Sequence, residues 1–291
     1  MGTIDEYQDR MRSDPRSIEE LVSTALTEAG EEVAWDAVCA LHFRGTRQVL
    51  EKAQELCRSI NPVERTLGAN ILGQLGVPER TFPRECSSTL LGMLDGEEDA
   101  DVLHAIFVAI GHLGEADAIE PACQYKKHPS SEVRHGVVLA LTGHDHERAI
   151  EALIELSGDE ESDVRDWATF ALGQQIDLDT PAIRQALAER LNDTDYDTRC
   201  EAIMGLAKRK DRRVIPIISK ELASDSIGCL VVEAAALFPD SQFLPQLTAI
   251  RDIALRELPD GSDPSLHRWM IDKVNVAIDA CSSREQPESK S

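Results

Sequence analysis

The stretch DVRDWATFALG, residues 163–173, decides the fold. Counted from Arg165, Ala168 lies three positions on, and the pair Ala171-Leu172 lies six and seven on. Offsets of three, six and seven fall along one face of an α-helix, and small side chains there let a second helix approach closely. The arrangement recurs along the chain. Comparable small or aliphatic pairs stand at Ala40-Leu41, Ile71-Leu72, Ala109-Ile110, Ala140-Leu141, Gly205-Leu206 and Ala236-Leu237. Successive pairs are 31, 38, 31, 31, 34 and 31 residues apart. The Arg recurs as Arg65, Arg134 and Arg199, and Glu132, Asp163 and Asp197 stand two positions before Arg134, Arg165 and Arg199. Three positions after the Arg site come Ala37, Gly68, Ile106, Val137, Ala168 and Ala202, with Glu233 breaking the pattern in the seventh copy. Copies one, three and seven carry Ala34, Leu103 and Leu230 in place of the Arg.

A repeated unit of this length containing an amphipathic helix is the mark of a stacked helical array. A second helix is expected before the later copies, over residues 148–156, 182–191 and 212–222. The intervening loops 157–162 and 192–195 hold the Asp, Ser and Gly typical of helix ends. Pro121, Pro181, Pro216 and Pro245 fall in or near first turns, where a missing N–H costs little. One helix pair cannot bury its stripe alone, so neighbours must stack. The expected architecture is an all-α solenoid, a right-handed α-α superhelix of about seven repeats with helical caps. Its expected divisions are a cap over residues 1–30, repeats over 31–258, a closing helix over 259–281 and a disordered tail over 282–291. Residues 3–28 of the cap read as one or two amphipathic helices split by Asp14-Pro15, and the 38-residue step holds a two-proline insertion around residues 77–85, read as a curvature break or a binding loop. GQLG (73–76) and GHLG (111–114) fall at helix ends and read as C-caps rather than phosphate loops.

Composition narrows the function. Aromatics make up 4% of the chain against 42% hydrophobic residues, which suits close-packed helices better than a β-sandwich. Fifty-three acidic residues against 30 basic ones give a net charge of −23, which repels phosphate backbones and favours a basic protein partner. The seven cysteines are scattered and form no CxxC pair, the pattern of cytosolic thiols rather than a disulfide framework or zinc site. No apolar run reaches the length of a signal core or membrane span, and Glu6 breaks the superficial myristoylation pattern of the N-terminus. A cytoplasmic monomer is expected, with no cofactor, metal or catalytic residue.

Positions one, five and nine after the Arg site should point away from the packed face. They form a ridge of aromatic, aliphatic and imidazole side chains, the types that anchor protein interfaces. The partner-binding candidates are Trp35, Phe43, His104, Val108, His135, Leu139, Asp166, Phe170 and Met204, with Trp167 beside the line. His104 and His135 occupy equivalent places in adjacent repeats, with His112, His144 and His146 at the following turns. Without an H-x-x-x-H unit they read as solvated or capping side chains.

DVRDWATFALG resembles the bacterial HEAT-repeat signature, and the resemblance spans roughly residues 30–240. It implies that the second helix of each repeat lines a concave surface. It also implies that Glu132, Arg134, Asp163, Arg165, Asp197 and Arg199 form a ladder tying neighbours together. The iron-binding His-Glu pairs of deoxyhypusine hydroxylases, also HEAT proteins, are replaced here by Arg134-His135-Gly136. The basic face of HEAT-like DNA glycosylases is at odds with the charge. GANILGQLG (68–76), DVRDWATFAL (163–172) and EAIMGLAKRKDRRV (201–214) resemble HEAT proteins encoded beside Rhs-type polymorphic toxins, which are regarded as immunity proteins. That resemblance implies capture of a toxin domain on the concave face. The alternative is a scaffold or assembly factor for a resident complex, including a bilin-lyase-like subunit.

Overall fold

The computed structural model describes residues 4–27, 30–224, 228–256 and 264–283, and its regular structure is entirely helical. The expectation of a disordered tail therefore lies outside the described residues, apart from Ser282 and Ser283, which belong to the last helix. By internal contacts the chain divides into two compact units, residues 1–152 and 153–291.

The first unit begins with α1 (Ile4–Arg12) and α2 (Ile18–Leu26), separated at Asp14-Pro15 as expected. Ser17 closes a reciprocal capping box with Glu20 at the start of α2. There follow α3 (Glu31–Arg44), α4 (Arg47–Leu56), α5 (Pro62–Gly73), α6 (Pro83–Met93), α7 (Ala100–Leu113), α8 (Ile119–Gln124) and α9 (Ser131–Leu141). Helices α3, α5, α7 and α9 pack successively on one another, while α4, α6 and α8 each pack on the helix that follows. Asn61 and Asp99 cap α5 and α7 by accepting backbone N–H bonds at 3.0–3.2 Å, each cap contributing about 1 kcal/mol. The predicted stripe is the core: Ala37, Ala40, Leu41, Leu72, Ile106, Val137 and Leu141 are fully buried.

Helix α10 (Glu147–Leu156) spans the boundary. The second unit holds α11 (Ser162–Phe170), α12 (Pro181–Arg190), α13 (Tyr196–Lys208), α14 (Ile215–Glu221), α15 (Cys229–Leu237), α16 (Leu244–Arg256) and α17 (Pro264–Ser283). Helix α13 packs between α11 and α15, and α15 packs on α17. α11 runs on into a π-turn, Ala171–Gln175. Among the described residues no helix is long and apolar enough to cross a membrane.

Two sequence expectations are corrected. First, the Arg ladder exists, but with other acids. Arg65 grips Glu97 through a two-point fork at 2.7 and 2.9 Å, and Arg165 grips Asp193 at 3.0 Å through both contacts. Arg199 lies 3.5 Å from Glu221. The same guanidiniums bind two carbonyls of the loop before their own helix: Ser59 and Ile60, Asp159 and Glu160, Asp193 and Thr194. Arg134 does so with His128 and Pro129. The expected acids Glu132, Asp163 and Asp197 instead sit in the first turns of their own helices, where the helix dipole favours negative charge. Glu97 and Asp193 come from the next repeat's loop, so the pairs still tie neighbouring repeats.

Second, the seventh copy is out of register. Ala236 is partly exposed and Leu237 is 38% exposed, whereas Val231, Val232, Ala234, Ala235 and Phe238 are buried. The packed stripe of α15 therefore includes Ala234-Ala235, and Glu233 lies off it. The insertion around residues 77–85 is tied to the end of α3. Gly76 has φ +79, and a Cβ there would lie 2.5 Å from the Thr81 backbone nitrogen. This glycine lets the chain fold back on the end of α3: its N–H donates to His42 carbonyl at 2.7 Å, and the Thr81 hydroxyl donates to Gly45 carbonyl at 2.9 Å.

Candidate functional site

In the first unit the predicted ridge is unevenly exposed. Trp35 on α3 is 51% exposed, with its indole edge-on to His42 at 6.2 Å. His42, which sequence reasoning passed over, is buried, with Nε2 2.9 Å from the Asn70 carbonyl. Burial pulls its pKa down to about 4, so it stays neutral at physiological pH. Phe43 is claimed by the N-terminal helix: Tyr7 meets it edge-on at 6.5 Å and the Arg12 guanidinium lies 5.9 Å from its ring centre. His104 on α7 and His135 on α9 stack, with ring centres 5.7 Å apart and planes within 13°. Val108 and Leu139 follow one turn on, both half-buried.

In the second unit, three of the four predicted residues come together on α11. Trp167 is 41% exposed and meets Phe170 edge-on at 5.7 Å. Asp166, next to them, is half-buried, and its Oδ1 is buried without a hydrogen-bond partner among the described residues. Burial, reinforced by the negative charges of Glu201, Asp197, Asp195 and Asp163, pushes its carboxyl up to about 7. Burial also raises Glu201, although the Gln174 amide donates to that carboxylate.

Met204 does not join this surface. Helix α13 packs against α11, α12 and α15, and its residues from Ala202 to Ala207 are all buried. Met204 is 3% exposed and Cys200 likewise, so both are core. The counting rule assumed one free face for every repeat, and α13 has too little uncovered surface to keep it.

Asp166 has a measurable consequence. A carboxyl raised from its ordinary value to about 7 binds a proton in the folded chain that the unfolded chain has already released, so folding stability falls as pH rises from about 4 to about 7. The full interval corresponds to ~4 kcal/mol. With part of the side chain open to solvent, a loss of ~1–2 kcal/mol is expected. Asp166→Asn should therefore raise stability at pH 8 by that amount and flatten the decline between pH 4 and 7. Urea unfolding at four pH values reads this directly, and parallel curves for both proteins would mean that Asp166 is well solvated.

The stacked helices, the Arg ladder and the buried small-residue stripe define a HEAT-repeat protein. Residues 87–173 and 154–238 match the family profile described as HEAT repeats, and the chain belongs to that family. It is homologous to Protein YibA of Escherichia coli strain K12, with 30% identity over 225 residues covering 71% of this chain and 75% of the relative. The X-ray structure of E. coli YibA superposes with a TM-score of 0.72 at 24% identity, covering 97% of this chain and 98% of that one. An importin beta crystal structure shares the fold with a TM-score of 0.55 at 15% identity, covering 91% of this chain and 43% of the importin.

Proposed function

We propose that this chain is a non-catalytic protein-binding module of the cytoplasm, and that it acts as an immunity protein by capturing a basic toxin domain. One observation carries the reading. An exposed indole, Trp167, stands beside a carboxyl, Asp166, held in a field of four further acids. A partner's Arg or Lys inserted here would lie over the ring face and relieve the carboxylate repulsion at once. Trp and Tyr anchors rimmed by complementary charge are what protein interfaces use to concentrate binding energy. The net charge of −23 adds long-range attraction for such a partner.

The test is surface plasmon resonance of the full chain against the purified effector domain of any Rhs-type toxin found encoded beside its gene, at two salt concentrations. Between ~0.05 and ~0.3 M salt the association rate should drop at least about tenfold while dissociation changes little. Association that ignores salt removes electrostatic capture. No binding at any salt rejects the immunity reading.

A further inference from the structure

We propose that His104, Glu132 and His135 form a binding site for one divalent transition-metal ion, held between two consecutive repeats. One ligand atom from each of the three side chains lies within 4.8 Å of the others. The convergence follows from the repeat. His104 and His135 are equivalent residues 31 positions apart, on helices α7 and α9, and stacking the helices lays the two imidazoles parallel at 5.7 Å. Glu132 stands three residues before His135, so its carboxylate falls on the same helical face. The close approach depends on Gly136: a Cβ there would lie 3.0 Å from the Phe107 Cβ and 3.4 Å from His104 Nδ1.

The hydrogen bonding prepares the site. His104 Nδ1 lies 2.8 Å from the backbone oxygen of Glu132. A carbonyl can only accept, so Nδ1 carries the proton and Nε2 keeps a lone pair for a metal. A ring N–H held by a backbone carbonyl is the usual support of a metal-binding histidine, because it sets both the tautomer and the ring orientation. Here the residue that orients the imidazole is also the one that supplies the carboxylate. Bonds of about 2.0–2.1 Å to a tetrahedral ion place donors about 3.3 Å apart. Closing the site from separations of up to 4.8 Å therefore asks the side chains to draw together around the ion. Two imidazoles and one carboxylate suit Zn²⁺, Co²⁺, Ni²⁺ or Fe²⁺ rather than Ca²⁺ or Mg²⁺. Three protein donors leave a position for water or for a donor group of a bound molecule.

The experiment titrates the full-length reduced protein with Co²⁺ at pH 7.5 and follows the visible d–d bands, with Zn²⁺ competition giving its affinity. The expected result is one ion per chain, with a Kd below about 100 µM and no thiolate charge-transfer band. His104→Ala and Glu132→Gln should each weaken binding at least about tenfold, with unchanged far-UV circular dichroism. The Gln variant changes only an exposed side chain, so it reports on ligation even where a histidine variant loosens the helices. Weaker wild-type binding, unchanged binding in both variants, or a thiolate band from the cysteines would each overturn the assignment.

Discussion

Replacing Arg209 by alanine should lower the unfolding free energy by about 3–5 kcal/mol, the usual cost of removing one partner from a buried charged network. The π-turn at Ala171–Gln175 brings Ile176 N–H to the Ala171 carbonyl at 3.1 Å and leaves neighbouring carbonyls without their usual helical donors. Arg209, at the end of α13 and 9% exposed, satisfies them. Its Nη1 donates to Gly173 and Gly205 at 3.1 and 3.2 Å, and its Nη2 donates to Leu172, Ile176 and Leu178 at 2.7–3.0 Å. Alanine would strand these acceptors in the interior, each at a cost of about 1–3 kcal/mol if no water reaches it. Arg209→Lys should recover little, because a single ammonium cannot span carbonyls that the planar guanidinium reaches as a fork. Urea denaturation measures the loss, and amide hydrogen exchange should show residues 171–178 opening first. An alanine variant within 1 kcal/mol of wild type would mean that the turn holds itself.

Trp167→Ala should weaken capture of the proposed partner by about 2–4 kcal/mol, about 30- to 1000-fold in Kd, as expected for an aromatic anchor. The wild-type side chain is 41% exposed and braced edge-on by Phe170. A rigid, half-open indole loses little conformational freedom on binding, which concentrates affinity in one residue. Phe170→Ala, which removes the brace, should cost less, about 1 kcal/mol. Plasmon resonance with both variants gives these values, and thermal unfolding supplies the control. If Trp167→Ala instead destabilises the fold by more than about 1.5 kcal/mol with capture intact, Trp167 is a packing residue and the interface lies elsewhere.

The two predictions differ in how far the sequence could have led to them. Trp167 was legible because helical counting from Arg165 puts it beside the uncovered line. Arg209 was not. It stands at a helix end 36 residues from Gly173, and its need arises only from a π-turn that no local propensity announces. The same contrast separates the ladder's halves. Arg65 and Arg165 stand out by their repeat spacing, whereas Glu97 and Asp193 are recognised only when the next repeat's loop is stacked in place, 32 and 28 residues on. His104 and His135 were paired by counting, and Glu132 lies at helical spacing from His135, but the three donors converge only when α7 and α9 stack.

By itself the sequence determined the helices, their caps, the period and the stripe that becomes core, from Ala37 to Leu206. These rest on the 3.6-residue turn and on backbone donors that must be satisfied within a few residues, both of which are local. Tertiary structure alone decided which acids the arginines meet, why Met204 is core while Trp167 is open, and where α15 sets its register. Those outcomes depend on how much of each helix its neighbours cover. Burial is a property of the stack: a helix contacted on three sides, as α13 is, buries Cys200 and Met204, whereas the same spacing leaves Asp166 and Phe170 only half-buried on α11.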